Sequence, residues 1–173
     1  MIFMKARRSV LIVDDEQNFL SSMRRLLRKE TFRVFTAESG DAGLAILEKE
    51  EISVIIVDYM MPGVDGINLL HRVRRDWPWI TTIMLTAHCE LELALRAINE
   101  LGIYKFFLKP VSNEELIGSI RHALSCLNGD SENYPQPCDP MKSKEACLRA
   151  LEQDFPGITK FEQDGPLRFF SPR

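Results

Sequence analysis

The sequence has no apolar run near the ~20 residues needed to cross a bilayer, so no membrane span is expected. Its four cysteines, Cys89, Cys126, Cys138 and Cys147, form no C-x-x-C pair. No histidine stands at zinc spacing from them, and reduced thiols are expected rather than disulfides or a metal site. There is no excess of basic charge: the net charge of −3 does not advertise nucleic acid or an anionic membrane as a partner. There is no internal repeat. The N-terminal stretch M-I-F-M-K-A-R-R places its basic residues after a very short apolar run, the reverse of a secretory signal. A cytoplasmic location is therefore expected. What is present is ordinary globular material: 45% apolar and 27% charged residues in a 173-residue chain, room for one domain plus something small.

Apolar runs and amphipathic stretches alternate along the first part of the chain. Ser9 to Val13 reads as a strand that ends in Asp14, Asp15 and Glu16. Gln17 to Lys29 places Phe19, Leu20, Met23, Leu26 and Leu27 on one helical face, with Arg24, Arg25 and Arg28 opposite. Phe32 to Ala37 is the second strand. Ser39 is the expected N-cap of a helix reaching about Glu50. Val54 to Val57, four β-branched residues, reads as a strand buried on both faces and runs into Asp58. Pro62-Gly63 supplies a turn, and a helix is expected from Gly66 to Arg75, ended before Trp77-Pro78. Ile80 to Leu85 is strand four, Glu90 to Leu101 a helix stopped by Gly102, and Tyr104 to Leu108 strand five. Ser112 opens a last helix in a capping box with Glu115. Five strands alternating with five helices predict an α/β domain, a parallel sheet with helices on both faces.

The domain is expected to occupy residues 8–128. A proline-rich polar linker follows over 129–141, then a short helix and β-hairpin extension over 142–173. The extension is too small for a large core of its own and should pack on the first domain, a second copy or a partner.

Parallel topology brings the strand ends to one edge, where ligands bind in open α/β sheets. Strand one delivers Asp14 and Asp15, strand three Asp58, strand four Thr86 and then Ala87, strand five Lys109 and then Pro110. Clustered acids repel unless a cation joins them. Oxygen ligands with one lysine and no histidine or cysteine favour a hard cation such as Mg2+ (or Mn2+). An aspartate in that setting can take a phosphoryl group, with Asp58 as nucleophile. Taken singly, each residue has a plainer reading: Asp14 and Asp15 as helix caps, Thr86 as a strand residue, Lys109 as a solvated cation, Phe106 and Phe107 as core. Their coincidence at one edge is what argues for a site.

The motifs V-D-D-E at 13–16, V-D-Y-M-M-P-G-V-D-G at 57–66, L-T-A at 85–87 and F-F-L-K-P at 106–110 resemble the receiver domain of two-component response regulators. The resemblance implies a flavodoxin-like sheet of order 2-1-3-4-5. It implies phosphorylation of Asp58 by a sensor histidine kinase or phosphotransfer protein. Mg2+ would be held directly by Asp15, Asp58 and the Met60 backbone carbonyl, and by Asp14 through water. Lys109, Thr86 and Ala87 would meet the phosphoryl group, Phe106 would turn inward as a switch, and the Lys109–Pro110 bond would be cis. The resemblance also implies that Met60 and His88 would border the path of an attacking water, which makes them candidates for tuning loss of the phosphoryl group; His71 reads as a surface residue.

The signalling surface is expected around Ala94, Arg96, Ile103, Tyr104, Lys105 and Arg121, meeting a downstream protein or a second copy as a homodimer. Residues after 127 show no basic recognition helix and no P-loop, so signalling by protein contact is favoured. A transcription regulator with an unrecognised tail is the alternative. An aspartate-nucleophile phosphatase is a weaker one, since Met60 stands where its second aspartate belongs.

Overall fold

A computed structural model of the chain describes residues 8–61, 66–87 and 101–126. The Pro62-Gly63 turn, the helix expected from Glu90, His88, the surface positions Ala94 and Arg96, the linker and the C-terminal extension lie outside the described residues.

Five strands, β1 (Ser9–Val13), β2 (Arg33–Ala37), β3 (Val54–Asp58), β4 (Thr81–Thr86) and β5 (Lys105–Leu108), form one sheet. All pairings are parallel, in the order β2-β1-β3-β4-β5. Among the described residues the helices are α1 (Gln17–Leu26), α2 (Gly40–Leu47), α3 (Gly66–Asp76) and α4 (Asn113–Cys126). Each interior strand is buried along its whole length, β1 and β3 with the apolar runs Val10–Val13 and Val54–Val57 and β4 with three threonines among its buried residues, while the edge strands β2 and β5 are only partly covered.

Side chains alternate across the sheet and so build two cores. Leu11, Val13, Ile55 and Val57 face α2 and α3, meeting Leu44, Leu47, Leu69, Leu70 and Val73. Val10, Ile12, Val54 and Ile56 face α1 and α4, meeting Leu20, Met23, Leu116, Ile120 and Ala123. A fully buried Leu or Ile of this kind contributes roughly 1.5–3 kcal/mol. Polar edges of the helices stay in water, where Arg121 pairs with Glu30 at 2.8 Å. With the guanidinium itself open to water, a pair like this adds little.

The elements differ from the sequence-based expectation mainly at their ends. The first helix closes at Leu26 and tightens into a 3-10 turn over Leu27–Lys29. Ser39 does cap α2, accepting from the Ala42 amide at 3.2 Å. That helix ends at Leu47 rather than Glu50, because the amides of Lys49 and Glu50 both fold back onto the Ile46 carbonyl. Strand four starts one residue late, since the Ile80 amide is committed to the Trp77 carbonyl in the preceding turn. Gly102 has φ of +60°, the left-handed geometry expected of a helix stop.

One surface residue was misplaced. Ile103 is fully buried in the core beside Leu101, so it cannot belong to a docking surface. Tyr104 and Lys105 are half-buried, and Arg121 and His71 are exposed.

Candidate functional site

The site lies where β1, β3, β4 and β5 end, and the backbone fixes each contributor. The Asp14 amide donates to the Ala37 carbonyl at 3.1 Å, extending the β1–β2 pairing by one residue. Asp58 is the last residue of β3 and lies opposite Leu85 of β4. The Lys109 amide donates to the Thr86 carbonyl at 2.7 Å, which holds the lysine beside the end of β4. The Lys109–Pro110 bond is cis. Gly66 opens α3 directly under the Asp58 main chain: a Cβ there would lie 2.3 Å from the Asp58 carbonyl oxygen. Only glycine lets α3 begin so close.

Lys109 is the hub. Its ammonium donates to Asp14 Oδ2 and to Asp58 Oδ2, each at 2.7 Å, and reaches Glu16 Oε1 at 3.2 Å. It also stands 4.5 Å from the centre of the Phe19 ring, a distance at which the ring face attracts a cation. The second oxygens are held by main-chain donors: Asp58 Oδ1 accepts from the Met60 amide at 3.1 Å, and Asp14 Oδ1 from the Glu16 amide at 2.9 Å. Asp14, Asp58 and Thr86 are all buried, the last completely.

Burial pushes the Asp14 carboxyl above its ordinary value. The hydrogen bonds from Lys109 and the Glu16 amide oppose that shift without cancelling it. Burial acts on Lys109 in the opposite direction, lowering it, but the hydrogen bonds to Asp14 and Asp58 and their charges prevail. The ammonium is held well above its usual range. Lys109 is therefore a fixed positive charge.

Carboxylate oxygens of Asp14, Glu16 and Asp58 lie within 4.8 Å of one another. An all-oxygen donor set of this size suits a hard divalent cation. The residues expected from the sequence do not all converge. Asp15 is exposed and stands outside this cluster. Glu16 takes its place. It is the N-cap residue of α1 and makes no side-chain cap, which leaves its carboxylate available to Lys109. Phe106 is half-buried and packs against the α2–α3 core, and Met60 is 55% exposed at the mouth of the site. Ala87 is exposed at the rim.

Sequence reasoning missed Glu16 and Phe19 as members of the site. Glu16 stands inside the V-D-D-E motif and could have been found there. Phe19 looked like an ordinary apolar-face residue of α1, and it does pack on that core as well.

Fold and site together define a doubly wound α/β domain carrying an acidic, lysine-bridged centre at the carboxyl edge of its sheet. Residues 10–121 match the family model of the response regulator receiver domain. The hydrogenase transcriptional regulatory protein HoxA of Cupriavidus necator is 40% identical over 124 residues, covering 70% of this chain and 26% of its own length. The heme response regulator HssR of Staphylococcus aureus is 37% identical over 123 residues, covering 71% of this chain and 54% of its own. Among solved structures, the signal receiver domain of an HD domain-containing protein from Pseudomonas fluorescens superposes with a TM-score of 0.67 at 32% identity, over 69% of this chain and 95% of that one. The chain belongs to the response regulator receiver domain family. It spans about a quarter of the length of HoxA, 26%.

Proposed function

We propose that Asp58 accepts a phosphoryl group from a histidine kinase or phosphotransfer protein, and that the change this makes at the carboxyl edge is read by another protein surface. The observation that carries the reading is the bridge from Lys109 to both buried aspartates, 2.7 Å to each. A carboxylate oxygen of Asp58 attacks phosphorus, the N–P bond of the phosphohistidine breaks, and the departing imidazole nitrogen takes a proton from water. Lys109 is already positioned to pair with the incoming oxygens. The Met60 amide orients the nucleophile through its other oxygen. Thr86 ends the neighbouring strand and can meet the phosphoryl group with its hydroxyl, beside Ala87, while Phe106 is the aromatic that responds.

Mg2+ (or Mn2+) fits the donor set. Asp14, Glu16 and Asp58 would hold it with the Met60 carbonyl, and Asp15, exposed outside that cluster, would join only by turning inward. Bound there, the ion would offset the charge of the clustered oxygens and of the phosphoryl group. Met60 and His88 are proposed to set how quickly the phosphoryl group is lost.

Transcriptional output has specific support, since HoxA of Cupriavidus necator and GlrR of Escherichia coli are both named transcriptional regulatory proteins, at 40% and 35% identity. We place the protein among regulators rather than enzymes. Met60, two residues after Asp58, offers no acid to turn over an external phosphate ester. No helix among the described residues is long and apolar enough to cross a membrane, which fits a cytoplasmic regulator.

Incubation with an acyl phosphate and Mg2+, followed by intact-mass analysis, tests the core of the proposal. Wild-type protein gains the mass of one phosphoryl group, and Asp58→Asn gains none. Equal labelling of the two would overturn it.

A further inference from the structure

The sheet has a second edge, opposite the site, and a groove opens there. It lies between the α2–β3 and α3–β4 connections and encloses about 250 Å³. Leu47, Ile52, Trp77 and Trp79 supply its apolar lining. Trp79 is 56% exposed, one of two large apolar side chains left open to water among the described residues. The other, Met60, borders the phosphorylation site. Glu48, Glu50 and Glu51 stand at the groove against a single lysine, Lys49. Glu50 is shared with Arg33 at 3.3 Å, while Glu48 and Glu51 are exposed. The volume is below the ~300 Å³ at which pockets for drug-sized ligands begin. It is room for one or two inserted side chains under an acidic rim.

The chain carries a segment of complementary chemistry. Residues 166–173 read P-L-R-F-F-S-P-R: two arginines, two adjacent phenylalanines, a leucine and no acid. Placement favours this occupant. Helix α4 runs back from the carboxyl edge and ends at Cys126, so the chain leaves the described domain from the same edge as the groove. Residues 127–165 then intervene. At up to ~3.3 Å per residue they can reach any point of a domain whose radius of gyration is on the order of 14 Å. Tethering makes the encounter intramolecular, so modest intrinsic affinity is enough.

We propose that the tryptophan groove at the amino edge of the sheet is a docking site for this chain's own arginine-phenylalanine segment, residues 166–173. A phenylalanine fills the apolar floor against Trp77 and Trp79, and Arg168 meets the exposed glutamates. Arginine can also stack on an indole face. This inference is independent of phosphorylation at Asp58.

Trp77 and Trp79 are the only tryptophans in the chain, so intrinsic fluorescence reports on the groove alone. The test compares full-length wild type with full-length Arg168→Glu/Phe169→Ser/Phe170→Ser in dilute solution. Expected is a red-shifted emission and an acrylamide quenching constant raised about two-fold in the variant, with unchanged far-ultraviolet circular dichroism. Combining Glu51→Lys with Arg168→Glu alone should recover protection that Arg168→Glu loses. Identical quenching of wild type and triple variant would overturn the proposal, because the groove would then be open. Protection in wild type that disappears on dilution would also overturn it, because the occupant would be a second copy.

Discussion

Removing the Lys109 ammonium should destabilise the protein in the absence of divalent metal, by an amount the geometry allows to be estimated. The side chains of Asp14 and Asp58 are 1% and 6% exposed, and Lys109 is 12% exposed between them. Without the lysine, two carboxylates whose oxygens lie within 4.8 Å face one another with no cation between them. At an effective dielectric constant of ~20, that repulsion is about 3 kcal/mol. It agrees with the ~3–5 kcal/mol typical of breaking a buried pair by deleting one partner. Lys109→Ala should therefore lose about 3 kcal/mol in EDTA at pH 7, lowering the urea midpoint by roughly 1–3 M. Neutralising one acid removes the repulsion, so Asp14→Asn/Lys109→Ala should recover most of the loss. Added Mg2+ should also restore stability to the single variant by mass action. A loss under about 1 kcal/mol, or a double variant as unstable as the single one, would refute the bridge as the centre of the site.

Four further outcomes follow from the structure. Glu16→Gln should change stability by less than about 1 kcal/mol in urea titrations, because its carboxylate is 62% exposed, although it faces the same ammonium. Gly66→Ala should cost about 1–3 kcal/mol by overpacking, measured by urea denaturation, since its Cβ would press on the Asp58 carbonyl. Gly118→Ala in α4, whose Cβ would meet nothing within 4 Å, should be neutral or gain up to ~1 kcal/mol. The raised Asp14 carboxyl means that the folded state binds its proton more tightly than the unfolded state. Its contribution therefore falls as pH rises from the ordinary value of 3.8 through the folded value. Asp14→Asn, which does not titrate, should accordingly be more stable than wild type above that window in EDTA, and the advantage should vanish below it.

The fold could be read because two of its interior strands, β1 and β3, carry continuous apolar runs. V-L-I-V and V-I-I-V have nowhere to go except between two layers of helix, and both are buried throughout. Asp14, Asp58, Thr86 and Lys109 could be placed because parallel topology alone brings strand ends together. Asp15 and Glu16 could not be sorted in this way. They lie beyond the strand, where each further residue rotates the side chain to a new direction, and the direction is set by where α1 begins. Ile103 was misjudged because a residue in a connection has no periodicity to show which way it faces. Phe19 serves two ends at once, core and cation, and an apolar stripe reveals only the first.

Strand β3 is the middle of the five, and it is hydrogen-bonded on both sides along its length. Its amides should exchange with solvent only through the highest-energy openings, those close to global unfolding. The main chain that carries Asp58 is thus among the stiffest in the molecule. A charge added at its end has little scope to bend it. Movement is expected outside the strand, in the described connections at the carboxyl edge such as 59–61 and 109–112. Amide exchange compared between phosphorylated and unmodified protein should leave Val54–Asp58 unchanged and alter protection in the flanking loops, so that the strand acts as the fixed support against which those loops are displaced.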